Sequence, residues 1–157
     1  MGAKEAGGEG LRRGAGYYGQ ALRAAPGDLA LKYEEAQCLS EAGRHEDALA
    51  RAQQLCRANP LDAVFAWFLG SEFYKLGRME EARATFDQLL ARHPGNAFAH
   101  SYLSYIYTYS KQHRNRDKAL YHAEEALRLF DSEEGRADAR RHLATIRSHD
   151  GPFKDQS

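Results

Sequence analysis

The chain has 157 residues, 43% hydrophobic and 28% charged, and is therefore long enough to bury one ordinary globular core. Its 22 basic and 22 acidic residues cancel to a net charge of zero, which argues against a dedicated nucleic-acid binder and against general attraction to membranes. No apolar run approaches the length of a membrane span, and the glycine-rich residues 1–10 lack the apolar segment of a signal peptide. We expect a cytoplasmic protein with a flexible N-terminus and no membrane partner.

Helix-stopping prolines recur every 34 residues, at Pro26, Pro60 and Pro94. Two residues after each proline stands a side chain whose oxygen can cap the next helix, at Asp28, Asp62 and Asn96. Each period is therefore predicted to form a helix, a turn, a second helix and a stop. No segment shows the alternation typical of a strand. The expected helices lie at about 11–24, 29–42, 46–58, 63–76, 80–92, 97–110, 116–130 and 133–148.

This pattern resembles the tetratricopeptide repeat family, whose period is also 34 residues. The family signature is matched best in the second period, at Leu69, Gly70, Phe73, Ala82, Phe86 and Pro94. In the third period the corresponding alanine comes 37 residues later, at Ala119, so that repeat carries about three extra residues in its turn.

The resemblance implies an all-α fold, a right-handed α-solenoid of antiparallel helix pairs. A single domain is expected over residues 11–148, followed by a loose tail at 149–157. Within the domain we predict a half repeat, three full repeats and a capping helix, at 11–28, 29–62, 63–96, 97–132 and 133–148. The capping helix, with its exposed arginines, is expected to cover the last apolar face.

In this family the first helices of successive repeats line a concave groove, which implies where a partner would bind. Positions one period apart on these helices are rich in aromatic residues, which contribute strongly to protein interfaces. The alternative for each ring is ordinary core packing. The predicted groove residues are Tyr33, Gln37, Val64, Trp67, Ser71, Tyr74, Lys75, Phe98, Tyr105 and Tyr109.

The first predicted helix has no preceding partner, and its apolar stripe includes Tyr17, Tyr18 and Leu22. This helix either caps the stack or provides a surface for self-association as a homodimer. A third interpretation is that the natural beginning of the chain is missing.

A run of basic residues crowds the third turn, at Lys111, Arg114, Arg116 and Lys118. The run is either a solvated loop or a contact for an acidic segment or for RNA phosphates.

The sequence contains no recognisable motif for disulfide, metal-binding or catalytic chemistry. Cys38 and Cys56 are too few for a disulfide framework and are expected to be free thiols. The histidines lack metal-ligand spacing, and no phosphate loop or nucleophile motif is present, so we expect no enzyme activity, no cofactor and no metal.

The predicted function is that of a non-catalytic scaffold or adaptor, which holds an extended protein or peptide segment in an aromatic-rich groove. Two alternatives stay open. One is a small secretion-type chaperone, and the other is an RNA-associated adaptor that uses the basic loop, although the neutral charge makes nucleic acid the less favoured partner.

Overall fold

The computed structural model describes residue 14 and residues 17–154, and all regular structure in this part of the chain is helical. The chain divides into two compact units, one ending at Arg78 and the other beginning at Met79. The first unit contains α1, described over residues 17–24, and then α2 (Leu29–Glu41), α3 (His45–Ala58) and α4 (Ala63–Lys75). The second contains α5 (Met79–Arg92), α6 (Ala97–Tyr109), α7 (Arg116–Leu129) and α8 (Glu133–Arg147).

The all-α fold expected from the period is confirmed, and helix ends lie within two residues of the predicted ones wherever they fall in the described range. The predicted start of α1 at residue 11 lies outside that range. No helix among residues 17–154 is both long enough and apolar enough to cross a membrane.

The predicted capping side chains begin the first helix of each repeat. Asp28 accepts a hydrogen bond from the Leu31 amide at 3.1 Å, and Asn96 accepts one from the Ala99 amide at 2.9 Å. Asp62 caps α4 in the same way. These bonds satisfy amide groups that a helix start leaves without a helical acceptor. Ser132 caps α8 and follows Asn96 by 36 residues, so α8 starts as the first helix of a further repeat would.

Two glycines end α2 and α4 in the left-handed backbone conformation. Gly43 has φ of 75° and Gly77 has φ of 74°. At each site the amide after the glycine donates back across the last turn, from Arg44 to the Leu39 carbonyl at 2.8 Å and from Arg78 to the Phe73 carbonyl at 2.9 Å. These are Schellman caps.

The third turn has a different construction. It has Lys111 where the period would place a glycine, so α6 ends instead on extended Ser110. The chain then turns back through residues 111–115, and the Asn115 amide donates to the Tyr107 carbonyl at 2.8 Å. The extra residues of this repeat form this longer turn.

Small residues allow close helix crossings inside each unit. Ala36 of α2 and Ala48 of α3 are fully buried in the first unit, where they pack with Leu39, Leu55, Phe65 and Phe68. In the second unit, fully buried Ser104 of α6 meets fully buried Ala119 of α7, and its hydroxyl donates to the Ala119 carbonyl at 2.8 Å. Such side chains let two helix backbones approach closely.

A buried carboxylate links the three full helices of the first unit. Glu72 of α4 is 0% exposed. It accepts hydrogen bonds from the Ser40 hydroxyl of α2 at 2.6 Å and from Lys75 Nζ at 2.7 Å. Its other oxygen lies 3.0 Å from His45 Nδ1 of α3. A buried carboxylate is tolerated only when it is paired in this way.

The segment after α8, predicted to be a loose tail, forms turns as far as residue 154. Its Phe153 ring is buried, and the Arg114 guanidinium lies over that ring at 5.2 Å from its centroid. The apolar surface of Phe153 provides the physical reason for this packing.

Gly43→Ala and Gly77→Ala are each expected to lower the free energy of unfolding by about 1 kcal/mol, because a side chain disfavours the left-handed conformation. The matched control is Gly27→Ala, since Gly27 also has open space around its Cα but no left-handed backbone angle. Its effect should stay within about 0.5 kcal/mol. Thermal unfolding followed by circular dichroism measures all three, and equal effects at positions 27 and 43 would contradict the assignment.

Glu72→Gln is expected to lower the free energy of unfolding by about 2 kcal/mol. The substitution removes the negative charge of the carboxylate that Lys75, His45 and Ser40 contact. The control is Glu124→Gln, which breaks an exposed ion pair to Arg147 and should cost less than about 0.5 kcal/mol. Chemical denaturation compares them. A Glu72 variant as stable as the Glu124 variant would show that the network is not stabilising.

Candidate partner-binding surfaces

In the first unit, the large aromatic residues predicted to line a groove are half-buried. The Tyr33 ring of α2 packs 5.7 Å from the Phe65 ring and 5.5 Å from the Phe68 ring, both on α4. Trp67 lies 6.5 Å from Phe68 and packs against the same core. Burial raises the pKa of the Tyr33 hydroxyl. These rings therefore join α2 to α4 and present only part of their surface.

The other predicted residues of this unit differ in exposure. Val64 is exposed, whereas Gln37 and Tyr74 are half-buried. Ser71 is buried and its hydroxyl donates to the Phe68 carbonyl at 2.8 Å, which gives it a packing role. Lys75 donates to Glu72 and to Ser40, so its charge is already balanced by a carboxylate.

In the second unit, α6 and α8 bring three rings together, which we name the aromatic cluster: Tyr105, Tyr109 and His142. Tyr105 stacks on His142 with ring centroids 4.0 Å apart, and Tyr109 lies 6.1 Å from Tyr105 and 5.9 Å from His142. Tyr109 is 53% exposed. Tyr109 is therefore a large ring that is held by stacking and is still half open to solvent, a combination that is common at protein interfaces.

Polar groups fix the orientation of this cluster. The Tyr105 hydroxyl donates to Asp138 at 3.1 Å, and Arg141 donates to the other oxygen of Asp138 at 3.0 Å. The Nε2 atom of His142 lies 3.4 Å from the Thr108 hydroxyl. Burial lowers the pKa of His142, which favours the neutral form of the ring.

Phe98 begins the same face of α6, seven residues before Tyr105. It is 54% exposed, and its ring meets the Phe130 ring edge to face at 5.1 Å. Residues at this spacing lie on one side of a helix. The three predicted residues of this unit therefore share one face of α6.

Sequence reasoning did not identify Asp138 and His142 as part of a surface, because α8 was interpreted only as a solubilising cap. The available signal was Ser132, which continues the series of capping residues and marks α8 as equivalent to a first helix. The contribution of α8 to this face follows from that equivalence.

The predicted self-association residues lie on α1. Tyr17 is 69% exposed, and its ring meets the Tyr18 ring edge to face at 5.8 Å. Tyr18 and Leu22 are half-buried. A hydrogen bond to Glu34 of α2 raises the pKa of Tyr18 and ties α1 to its neighbour.

The predicted basic residues Lys111, Arg114, Arg116 and Lys118 are all exposed. Lys118 Nζ lies over the Tyr107 ring, 5.2 Å from its centroid. Together with the contact between Arg114 and Phe153, this shows that aromatic rings orient two of the four cations.

One histidine pair comes together that the sequence spacing did not indicate. His100 Nε2 donates to the Pro94 carbonyl at 3.0 Å, and His100 Nδ1 lies 2.9 Å from His122 Nδ1. Burial, with His100 nearby, lowers the pKa of His122 to about 4, so the His122 ring is neutral at neutral pH. The part of the chain that is described contains no group of three metal-ligating side chains.

The two cysteines are free and half-buried. Burial raises the pKa of Cys56 to about 11 and also raises that of Cys38, so both thiols are poor nucleophiles at neutral pH.

Several solved structures share this fold. YrrB, a tetratricopeptide repeat protein with an unusual peptide-binding site, is 23% identical over 85% of this chain and 67% of its own, with a TM-score of 0.70. PcrH from Pseudomonas aeruginosa is 21% identical over 76% of this chain and 92% of its own, with a TM-score of 0.69.

The type III secretion chaperone SycD of Yersinia enterocolitica, solved with a peptide of the translocator YopD, is 19% identical. The match covers 75% of this chain and 91% of the SycD chain, with a TM-score of 0.67. Identities this low show the fold alone.

No curated protein matches the chain in sequence. The family model of the tetratricopeptide repeat matches two overlapping stretches, residues 5–63 and 33–97, which together cover more than half of the chain. Family model, helix order and structural likeness agree, and the chain belongs to the tetratricopeptide repeat family.

Proposed function

We propose that this protein is a non-catalytic interaction module that binds an extended peptide segment of another protein, with the aromatic cluster as its main contact. The observation that carries the proposal is Tyr109, a large ring held by Tyr105 and His142 and yet 53% exposed. Pre-positioned aromatic rings lose little entropy on binding, which favours them as anchors.

The cluster also indicates the chemistry of the segment. An apolar or aromatic side chain of the peptide would stack on Tyr109, and Phe98 would contact a residue farther along. Arg141 is highly exposed beside the cluster, although it forms an ion pair with Asp138. An acidic residue next to the apolar anchor would gain from that guanidinium. In the first unit, Val64 and the open edges of Tyr33 and Trp67 are a second proposed contact.

A small secretion-type chaperone is the second candidate. It is favoured by the length match to the secretion chaperone SycD, since the match covers 91% of the SycD chain. Such a chaperone would use the same surface for the same kind of ligand. We place the protein in the cytoplasm, which agrees with its two free thiols.

Tyr109→Ala is expected to weaken peptide binding by at least about tenfold, because truncating a central aromatic anchor removes most of its contact area. Peptides selected from a displayed random library would be titrated against the wild type and the variant by calorimetry. Tyr121→Ala is the matched control, since Tyr121 is also a tyrosine and is 57% exposed, but lies on α7.

The Tyr121 variant should bind as the wild type does. Peptide affinity that survives loss of Tyr109 but falls with loss of Tyr121 would move the site to another face. If no selected peptide binds the wild type at all, the peptide-binding function itself is refuted.

We also propose self-association through α1, because Tyr17 is 69% exposed on a helix that packs on α2. A two-fold contact would bury this ring in a closed dimer. Analytical ultracentrifugation at tens of micromolar should show a dimer for the wild type and a monomer for Tyr17→Glu. A monomeric wild type, or a dimer that the substitution does not affect, would rule this surface out.

A further inference from the structure

A polar cavity of about 310 Å³ opens beside the start of α7 in the second unit. Its walls come from α5, from the end of α6, and from the long third turn with the first residues of α7. None of its residues belongs to the aromatic cluster. It is lined by Arg83, Tyr107, Gln112, His113, Arg114, Asn115 and Lys118.

Two cations at this cavity have no carboxylate partner among the described residues. Lys118 lies over the Tyr107 ring and Arg114 over the Phe153 ring, each 5.2 Å from the centroid. Neither forms an ion pair with any residue between 17 and 154. By contrast, Arg128 and Arg147 each hold a carboxylate at 2.6 Å. The rings orient Lys118 and Arg114 without neutralising them.

Arg83 adds a further hydrogen-bond donor. Its two terminal nitrogens bind Glu80 at 2.6 Å and Asp87 at 2.8 Å. Its Nε–H is buried and finds no acceptor in the described part of the chain. A buried donor without an acceptor costs free energy, which an anion would recover.

His113 lies next to this donor. Its Nε2 atom is 3.0 Å from Glu80 Oε2, which is within ion-pair distance. The two groups are nevertheless not aligned for a hydrogen bond. A hydrogen bond weakens steeply when it is bent. The Asn115 side chain caps the Lys118 amide at 3.0 Å, so the positive end of the α7 dipole also borders the cavity.

We propose that this cavity binds a single phosphate group, either free or as a monoester. Arg114 and Lys118 supply uncompensated positive charge, Arg83 supplies a donor from α5, and His113 and Gln112 supply donors from the third turn. Donors on several sides suit a tetrahedral dianion better than a planar carboxylate, which has two oxygens.

RNA is the less favoured ligand. Only Arg114 and Lys118 bring unpaired positive charge to the described cavity, whereas RNA binding gains from a tract of cations that neutralises several phosphates. The exposed cations outside the cavity, Lys111 and Arg116, give a direct way to separate the two ligands, because they would contribute to a surface tract but not to this cavity.

The test is a titration of the full chain with inorganic phosphate and with O-phosphoserine, at constant ionic strength, followed by two-dimensional amide NMR. Saturable shifts are expected at residues 112–118 with either probe, and acetate should produce none. Lys118→Gln and Arg114→Gln should each weaken binding by roughly tenfold, the usual effect of losing a charge-assisted hydrogen bond. Lys111→Gln and Arg116→Gln are the matched controls and should leave the affinity unchanged.

Saturation by O-phosphoserine alone would assign the site to monoesters, and saturation by both probes would include free phosphate. The proposal is overturned if neither probe saturates, or if all four variants weaken binding equally. It is also overturned if oligouridylate binds more tightly than either probe and depends on Lys111 and Arg116 as strongly as on Lys118. Amide spectra of the unliganded variants report whether each is folded, and the two cavity variants test the site independently.

Discussion

The hydrogen bond that caps each first helix determines which side chains that helix exposes. Asp28, Asp62, Asn96 and Ser132 each fix the residue at which a helix begins, and the helical repeat then sets the direction of every side chain that follows. Displacing a cap by one residue would rotate the helix face by about 100°. The grouping of Phe98, Tyr105 and Tyr109 on α6 depends on that fixed start.

The spacing of caps and stops in the sequence was enough to predict the helices, because capping is a local interaction. The burial of a side chain, by contrast, depends on contacts with residues that are distant in the sequence. Tyr33 is half-buried because Phe65 and Phe68 pack against it, and the period of the sequence does not specify such contacts. The same limit applies to Asp138 and His142, whose place beside Tyr105 depends on how α8 packs on the earlier helices.

Charge is balanced locally as well as over the whole chain. Glu72 is buried and surrounded by donors, which makes it a structural link between α2, α3 and α4. At the third turn the arrangement is the reverse, since Lys118 and Arg114 rest on aromatic rings and keep their positive charge. The net charge of zero therefore does not reveal that the Glu72 site is neutralised in the interior while the surface site at Lys118 and Arg114 stays cationic. Only the structure distinguishes the two sites.

The most direct test of the central claim, that the aromatic cluster holds a partner segment, is site-specific photo-crosslinking. A photoreactive phenylalanine analogue would replace Tyr109 in one sample and Tyr121 in another, and each would be irradiated with the same library-selected peptide. The account predicts covalent capture of the peptide from position 109 and none from position 121. Capture from position 121 alone, or equally from both, would contradict it.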